Sequence, residues 1–250
     1  MNVLIVYAHP EPLSFNAALR NTAQQQLERD GHTVQLSDLY GSRFQAVAGP
    51  DDYVERANPG QYEYRTEMKH ALSGPGYVDE IEAEQRKLQW CELLILQFPM
   101  WWFAPPGILK GWIDRVMTYG FAYAPGQKFE AGLLKGRRAV ISVTTGAKEH
   151  VFAPDSMDGD IERLLWPLQN GVLRYVGFDV LPPFISYGIG LIDETARAGV
   201  LERWRARLSN VRQDEPLFFH PLSDYGRLKP GVAARTSFQW NPRVRSPSSA

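Results

Sequence analysis

Three nearly continuous apolar runs constrain the fold of this 250-residue chain more than any other feature. They are VLIVYA at 3–8, LLILQFP at 93–99 and RAVISVTT at 138–145, and none of them alternates between apolar and polar residues. Strands buried on both faces have this pattern, which is typical of parallel sheets covered by helices. Two further runs with strand character are HTVQLSDL at 32–39 and VLPPFISY at 180–187.

Helical periodicity separates these runs along the chain. Apolar residues recur at helical spacing in the segments 15–27, 81–88, 108–117, 164–172 and 195–211. Alternating strands and helices predict an α/β fold, a doubly wound parallel sheet with helices on both faces. Five strands favour the flavodoxin-like order 2-1-3-4-5. Ligands of such sheets bind outside the carboxyl ends of the strands, so the loops after strands one, three and four are the candidate site.

The composition excludes several classes of function. Lys and Arg number 27 against 28 Asp and Glu, a balance that argues against a nucleic-acid partner. The lone Cys91 excludes a multi-cysteine metal site, and its place before an apolar run predicts a buried thiol. With no apolar run of membrane-spanning length and no basic leader, we expect a cytoplasmic protein that does not insert into a membrane.

Two segments fall outside the regular strand–helix pattern. Residues 40–80 are polar and rich in tyrosine, and we expect a structured excursion because the aromatic rings need burial. From Tyr225 onward the chain has five basic residues and no acidic one. We therefore predict one α/β domain over residues 1–219 and a partly disordered C-terminal extension over 220–250.

The loop after the first run lies within AHPEPLSFNAAL, at 8–19, and it lacks the glycines that phosphate loops usually have. The first glycine of the chain is Gly31. Ser14 stands where a helix N-cap is expected, and a helix start offers unpaired N–H groups and the positive end of the dipole. Asn16 and His9 add side-chain donors. The sequence predicts an anion site here, with a plain serine N-cap beside a solvated histidine as the alternative.

The loop after the third strand is the most specific of the three. Pro99 ends the strand, and four large apolar residues follow it: Met100, Trp101, Trp102 and Phe103. These cannot all point inward because the strand has ended, so we expect a flat ligand against them. A hydrophobic plug or a dimer contact is the alternative.

The loop after the fourth strand, with Thr144, Thr145, Gly146 and Ala147, offers hydroxyl and backbone donors. Alone this pattern is weak, because any strand can end in this way. Phosphate donors, an aromatic wall and polar donors together suit a flavin, with its phosphate at the first helix and its ring between the other two loops.

The chain resembles the NAD(P)H quinone reductase family, the flavodoxin-like, FAD-dependent, homodimeric enzymes related to DT-diaphorase. The segments that carry the resemblance are HPEPLSFNAAL, LQFPMWWFAPPGILKGWIDRV, GFAY, VTTGA, GDIERLLWP and VGFDVLPPFISYGIG, which extend to about Leu217. The resemblance implies FAD rather than FMN, NAD(P)H as co-substrate, a small-molecule quinone as acceptor, and a homodimer with shared active sites.

The family's functional residues match positions of this chain. Those matching the cofactor contacts are His9, Ser14, Phe15, Asn16 and Ala17 at the phosphates, Pro99, Met100, Trp101, Trp102 and Phe103 after strand three, Thr144, Thr145, Gly146 and Ala147 after strand four, and Arg197 near the adenosine. Those matching the catalytic positions are Trp102, Phe103, Tyr123, Gly146, Ala147, Phe152, Asp158 and Tyr175. The family contributes the tyrosine at Tyr123 across the dimer.

The chain also departs from the family. Phe152 and Asp158 stand where the animal enzymes carry a tyrosine and a histidine near the flavin carbonyl, which puts the family's proton relay in doubt. A second pocket tyrosine of the family falls at Pro125, so we expect a different substrate pocket. His150 lies nearby, and we expect it to be exposed.

Three functions remain in competition. The first is a ping-pong oxidoreductase that passes a hydride from NAD(P)H through FAD to a quinone or similar flat acceptor. The second is a flavin-binding regulatory ancillary subunit of a potassium efflux transporter, because relatives of this shape have that role. The third, a one-electron flavodoxin carrier, is disfavoured because such carriers tend to be short and acidic.

Overall fold

The fold is taken from a computed structural model, which describes residues 1–225. Its strands are β1 (Asn2–Tyr7), β2 (Thr33–Asp38), β3 (Leu93–Pro99), β4 (Arg138–Thr144), β5 (Asp179–Val180) and β6 (Phe184–Ser186). Its α-helices are α1 (Phe15–Arg29), α2 (Tyr64–Leu72), α3 (Asp79–Trp90), α4 (Gly107–Val116), α5 (Ile161–Leu168) and α6 (Glu194–Ser209). A π-helical segment, Gln169–Arg174, continues α5.

All strand pairs of the sheet are parallel, and the order β2-β1-β3-β4-β5 confirms the predicted order. The predicted fifth strand differs in one respect, because β5 and β6 pair with β4 as two separate pieces. Pro182 and Pro183 lie between the two pieces. A proline has no N–H to donate to the ladder, so the strand breaks there.

Helices cover both faces of the sheet, which explains why its strands are apolar without interruption. Alternate residues of β1 point to opposite sides: Leu4 and Val6 pack in the cluster with α3, α4 and α5, whereas Val3 and Ile5 pack in the cluster with α1 and α6. All four side chains are fully buried. The continuous apolar runs of the sequence therefore reflect a central strand with a core on each side.

The excursion between β2 and α3 is structured, as predicted, and buried charge helps to hold it. Arg115 of α4 is 3 % exposed, and its Nε donates to Oδ1 of Asp52 at 2.8 Å. Tyr53 and Tyr77 are buried with their ring centroids 5.4 Å apart. Tyr62 and Tyr64 are each 37 % exposed, so only part of the aromatic content of the segment is buried.

The residues before Tyr225 continue along the edge of the sheet. The N–H of Leu217 donates to the carbonyl of Val180, and Arg174 donates to the carbonyl of His220. Phe219 lies against Trp166 with 5.6 Å between ring centroids. The predicted extension, 220–250, therefore begins as a docked segment, and the rest of it, residues 226–250, lies outside the described residues.

Candidate active site

The start of α1 has the capping geometry that the sequence predicted. Ser14 is the N-cap, and its Oγ accepts the N–H of Ala17 at 3.1 Å. The helix offers no acceptor to the other N–H groups of its first turn, so those of Phe15 and Asn16 point out of the helix start. Together with the positive end of the dipole, they form a site that attracts an anion.

Asn16 has a different role from the one predicted for its side chain. The side chain is 4 % exposed; its Nδ2 donates to Oγ1 of Thr144 at 2.7 Å, and its Oδ1 accepts from Nε2 of Gln97 at 2.7 Å. The amide is thus used to join α1 to the ends of β3 and β4, and only the backbone N–H of Asn16 remains for a ligand. Ala17 is likewise buried, and its N–H is taken by Ser14.

His9 lies at the same helix start as a neutral donor. Its Nδ1 accepts the N–H of Glu11 at 3.0 Å, so the neutral ring carries its proton on Nε2. Burial lowers the pKa of His9 below its usual value, although the hydrogen bond with Glu11 and the Glu11 charge oppose that shift. The His9 ring lies 6.0 Å from the Trp101 ring, which brings the first and second loops together.

The second loop places two large aromatic residues at the tip of a tight turn. Trp101 and Ala104 exchange two backbone hydrogen bonds of 3.0 and 3.1 Å across this turn. Trp102 and Phe103 lie between them with φ angles of 51° and 59°. Two-residue turns with positive φ at both positions favour asparagine and glycine, and other residues lose roughly 1–2 kcal/mol each there.

Trp102 is 96 % exposed and Phe103 is half-exposed, as expected for side chains that follow the end of a strand. Packing within residues 1–225 does not account for such an exposed and strained pair. Strained backbone of this kind is typical of ligand sites. Phe103 also lines a cavity of about 90 Å³ together with Met100 and residues of α5.

The third loop contributes backbone donors rather than hydroxyl groups. Thr144 and Thr145 are buried; Thr145 Oγ1 donates to the carbonyl of Ala147 at 2.7 Å and accepts the N–H of Gly188 at 3.3 Å. Gly146 is exposed, and nothing lies within 4 Å of the place a Cβ would occupy. The open part of this loop is therefore its backbone at Gly146 and Ala147.

The three candidate residues that follow this loop, His150, Phe152 and Asp158, lie in different surroundings. Phe152 is 7 % exposed and packs in the core, with its ring 5.9 Å from that of Tyr187. Phe152 therefore supports the loop within a single chain, and its assignment as a catalytic residue stays a prediction. Asp158 is half-buried and His150 is exposed, the latter as predicted. The structure does not join these three positions into a proton relay.

Arg197 anchors the loop after β6. Its Nε and Nη2 donate to the carbonyl of Ile189 at 3.2 and 3.0 Å. The N–H of Ile189 in turn donates to the carbonyl of Thr145 at 3.2 Å. Arg197 thus positions the segment that supports the third loop.

Tyr123 and Tyr175 lie together but apart from the other site residues. Their ring centroids are 5.8 Å apart, and both line two neighbouring cavities of about 250 and 220 Å³. Tyr123 follows the end of α4, whereas Trp102 precedes its start. A helix of ten residues spans about 15 Å. Trp102 and Tyr123 are therefore attached to helix ends that lie about 15 Å apart.

Sequence reasoning missed two elements of this region. The first is Gln97 of β3, which is buried and donates a hydrogen bond to Asn16. A single amide inside the apolar run LLILQFP was the sequence signal that could have indicated this polar contact. Tyr119 and Arg65 line the larger cavity with Tyr123, but no sequence signal linked the excursion to that position. Helix α2, which carries Arg65, has too few buried residues to show a clear period.

The described residues contain no group of side chains that could hold a metal ion and no helix that could span a membrane. Across residues 1–225, no three His, Cys, Asp or Glu side chains are grouped so that they could hold a metal ion. In the same range, none of the helices combines the length and the apolar character that a bilayer crossing needs.

The parallel sheet and its order define a flavodoxin-like α/β protein, and the three loops at its carboxyl edge are its candidate ligand site. A family model described as a flavodoxin-like fold matches residues 1–208. The ribosyldihydronicotinamide dehydrogenase (quinone) of Mus musculus is 41 % identical over 220 residues, covering 88 % of this chain and 95 % of that protein. The NAD(P)H dehydrogenase (quinone) 1 of Cavia porcellus is 38 % identical, covering 88 % of this chain and 80 % of that protein.

A solved structure agrees with these relatives. A candidate quinone reductase from Klebsiella pneumoniae is 38 % identical, with a TM-score of 0.89 and 94 % of each chain covered. The NAD(P)H:quinone oxidoreductase of Methanothermobacter marburgensis is 26 % identical with a TM-score of 0.67, covering 85 % of this chain and 97 % of that one. The chain belongs to the family of NAD(P)H quinone reductases with a flavodoxin-like fold, which confirms the resemblance.

Proposed function

We propose that this protein is an NAD(P)H quinone oxidoreductase that uses FAD and works by a ping-pong hydride transfer to a quinone or similar flat acceptor. The observation that carries the proposal is the strained, exposed Trp102–Phe103 turn, which lies at the same sheet edge as the open backbone of Gly146. Relatives at 38–41 % identity are named as dehydrogenases that act on quinones, which supports this enzyme class.

The residues present fit a flavin. The backbone N–H groups of Phe15 and Asn16 and the Nε2 of His9 would hold its phosphates at the start of α1. Its ring would lie between the aromatic turn and the backbone of Gly146 and Ala147, where a side chain on Gly146 would occupy open space. Several donors at the helix start suit the pyrophosphate of FAD, and Arg197 would lie near its adenosine half.

When bound, the flavin would supply the hydride chemistry between NAD(P)H and the acceptor. The protein would bind the flavin, orient the substrates and exclude water from the site. Trp102 and Phe103 would stack on flat substrates, and the N–H groups of Gly146 and Ala147 would stabilise negative charge at the polar edge of the ring. Because Phe152 has no exchangeable proton and His150 is exposed, we propose that protons come from solvent at this loop.

The separation of Tyr123 from Trp102 supports a homodimer with shared sites. If the tyrosine cluster completes the pocket, it does so from a second copy, because the length of α4 separates the two groups in one chain. The exposed Trp102 ring would then be covered on association, consistent with its 96 % exposure in a single chain. Symmetric pairing of this kind is the commonest form of oligomer.

The test combines cofactor identification with turnover. Purified protein is denatured, the released flavin is identified by chromatography and mass, and NADH or NADPH oxidation is followed with menadione as acceptor. We expect FAD and rapid turnover. A colourless protein that stays inactive with added FAD would contradict the proposal. Bound flavin with negligible turnover, together with co-purification of a membrane transporter, would instead favour the regulatory-subunit alternative.

A further inference from the structure

The larger of the two cavities beside Tyr123 has an unusual combination of walls. We call it the tyrosine cavity; its volume is about 250 Å³, and it is lined by Arg65, Tyr119, Tyr123, Ala124, Pro125, Lys128 and Tyr175. The Tyr119 and Tyr123 rings meet edge to face at 5.9 Å. Such an aromatic lining suits a flat ring of a ligand.

Three cations surround these aromatic walls. The Arg65 guanidinium lies 5.6 Å and the Lys69 ammonium 5.9 Å from the centre of the Tyr119 ring. The Lys128 ammonium lies 5.5 Å from the centre of the Tyr175 ring. These cation–π contacts place the positive groups beside the aromatic rings, while Arg65 and Lys69 remain exposed to solvent.

Among the described residues, these cations form no close ion pair with a carboxylate, and the Glu63 carboxylate acts on Lys69 from a longer distance. Within residues 1–225, the ion pairs closer than 4.0 Å do not include Arg65, Lys69 or Lys128, and nearby acids have other partners. Asp114 pairs with Lys110, and the Glu63 carboxylate accepts the N–H groups that open α2. The chain as a whole has a net charge of −1, so this positive cluster is a local feature.

The spacing of two of the cations adds a further argument. Arg65 and Lys69 stand four residues apart on α2, so their like charges face each other on one side of the helix. Such a pair disfavours the helix unless an anion lies beside it. An anion bound beside Arg65 in the cavity would offset part of that repulsion.

We propose that the tyrosine cavity binds the anionic part of a flat substrate, with Arg65 and Lys128 selecting ligands that carry an acidic group. The inference rests on the proposed function and specifies its substrate class. The planar guanidinium of Arg65 suits a carboxylate, sulfonate or phosphate, which it can bind through two parallel hydrogen bonds. Lys128, beside the Tyr175 ring, adds a second positive charge, which favours anionic ligands over neutral ones.

Two substrates of the proposed reaction could supply this anion. One is the phosphate group of a nicotinamide dinucleotide, and the other is an acidic substituent on the acceptor. The shared chemistry is an anion attached to an aromatic ring system. Donors and acceptors can be varied separately, so kinetic measurements distinguish the two sources.

The experiment uses the flavin-loaded protein and the double variant Arg65→Gln with Lys128→Gln. Lys110→Gln is the matched control, because Lys110 is an exposed cation paired with Asp114 on α4. In the donor arm, NADH and NADPH are compared with dihydronicotinamide riboside, which has no phosphate, with menadione as acceptor. In the acceptor arm, 1,4-naphthoquinone-2-sulfonate is compared with menadione, with the riboside as donor.

The quantity measured is the ratio of kcat/KM for the anionic substrate to that for its neutral counterpart, at low salt. In one of the two arms, we expect the double variant to lower this ratio about tenfold, mainly through KM, and the control to leave it unchanged. Added salt should reduce the difference. The arm that responds identifies the source of the anion. A ratio that changes in neither arm would overturn the inference.

A binding measurement separates this result from the proposed activity. The affinity of anthraquinone-2-sulfonate is compared with that of neutral 2-(hydroxymethyl)anthraquinone by equilibrium dialysis, without turnover. If NADH, NADPH and the riboside all give no turnover with menadione, the proposed function fails, yet the dialysis still decides whether the cavity selects anions. If the double variant lost affinity for both ligands equally, Arg65 and Lys128 would have a structural role, and the inference would be contradicted.

Discussion

The Nδ2 of Asn16 donates a hydrogen bond to the Oγ1 of Thr144 at 2.7 Å, across 128 positions of sequence. The bond ties the first turn of α1 to the end of β4. Gln97 of β3 completes the connection by donating to Asn16 Oδ1. The two loops proposed to hold the phosphate and the ring of one ligand are therefore fixed relative to each other by a buried amide.

Replacing Asn16 with alanine should weaken both the fold and the retention of flavin. The change leaves the buried donor of Gln97 and the hydroxyl of Thr144 without their partner, which costs about 1–3 kcal/mol of unfolding free energy. Urea unfolding measures the stability, and absorbance after dialysis measures the retained flavin. Asn21→Ala is the control, because Asn21 is an exposed asparagine of the same helix. Equal stability of the two variants would contradict a joining role for Asn16.

Trp102→Gly should raise the stability of the protein and lower its activity. Glycine adopts a positive φ without strain, and the exposed indole loses little contact within one chain, so we expect unfolding free energy to rise by about 1 kcal/mol. Turnover with menadione should fall because the stacking surface is lost. Val54→Gly is the control, since Val54 is exposed and is not among the described residues with positive φ. A large loss of stability in monomeric Trp102→Gly would show that the turn is not strained.

Cys91 is buried, as predicted, and its thiol should make stability depend on alkaline pH. Burial raises the pKa of Cys91 from 9.0 to about 12. Between these values the unfolded chain loses the thiol proton while the folded protein keeps it, so stability is full below the lower pKa and falls as pH rises. From about pH 8 to about pH 10, the wild type should lose roughly 1–2 kcal/mol more than Cys91→Ala. Parallel pH profiles of the two proteins would exclude this contribution.

The sequence was sufficient for the sheet, its order and the helix start at Ser14, because continuous apolar runs and an N-cap are local signals. It was insufficient to predict the role of the Asn16 side chain, because its hydrogen-bond partners are 81 and 128 residues away. A polar residue at a helix start has the same local pattern whether it faces a ligand or the core. Only the packing of α1 on the ends of β3 and β4 decides between them.

The break between β5 and β6 and the walls of the tyrosine cavity were missed for different reasons. The prolines at 182 and 183 were visible, but a run with strand character on both sides of them favoured a single strand. Arg65 reaches Tyr119 because α2 docks beside the end of α4. That contact depends on the path of an irregular segment, which hydrophobic periodicity does not encode.

His9 offers a test of the phosphate site that does not depend on activity. Burial lowers the pKa of His9 in the flavin-free protein, and a phosphate beside Nε2 would favour the charged ring and raise it. Proton NMR titration should therefore show the His9 midpoint moving upward when FAD is added. His32, which precedes β2 at the opposite edge of the sheet, should keep its midpoint. A His9 midpoint that is unaffected by bound FAD would place the phosphates elsewhere.

Mixing two inactive variants tests whether the site is shared between copies. Trp102→Ala removes one wall of the proposed pocket and Tyr123→Ala removes another, so each homodimer should have low turnover. If Trp102 and Tyr123 come from different copies, a heterodimer contains one intact site and one doubly altered site. After co-expression, random pairing makes half of the dimers mixed, so about a quarter of the wild-type activity should return. No recovery, with mass spectrometry showing that heterodimers are present, would mean that both residues serve the same site from one chain.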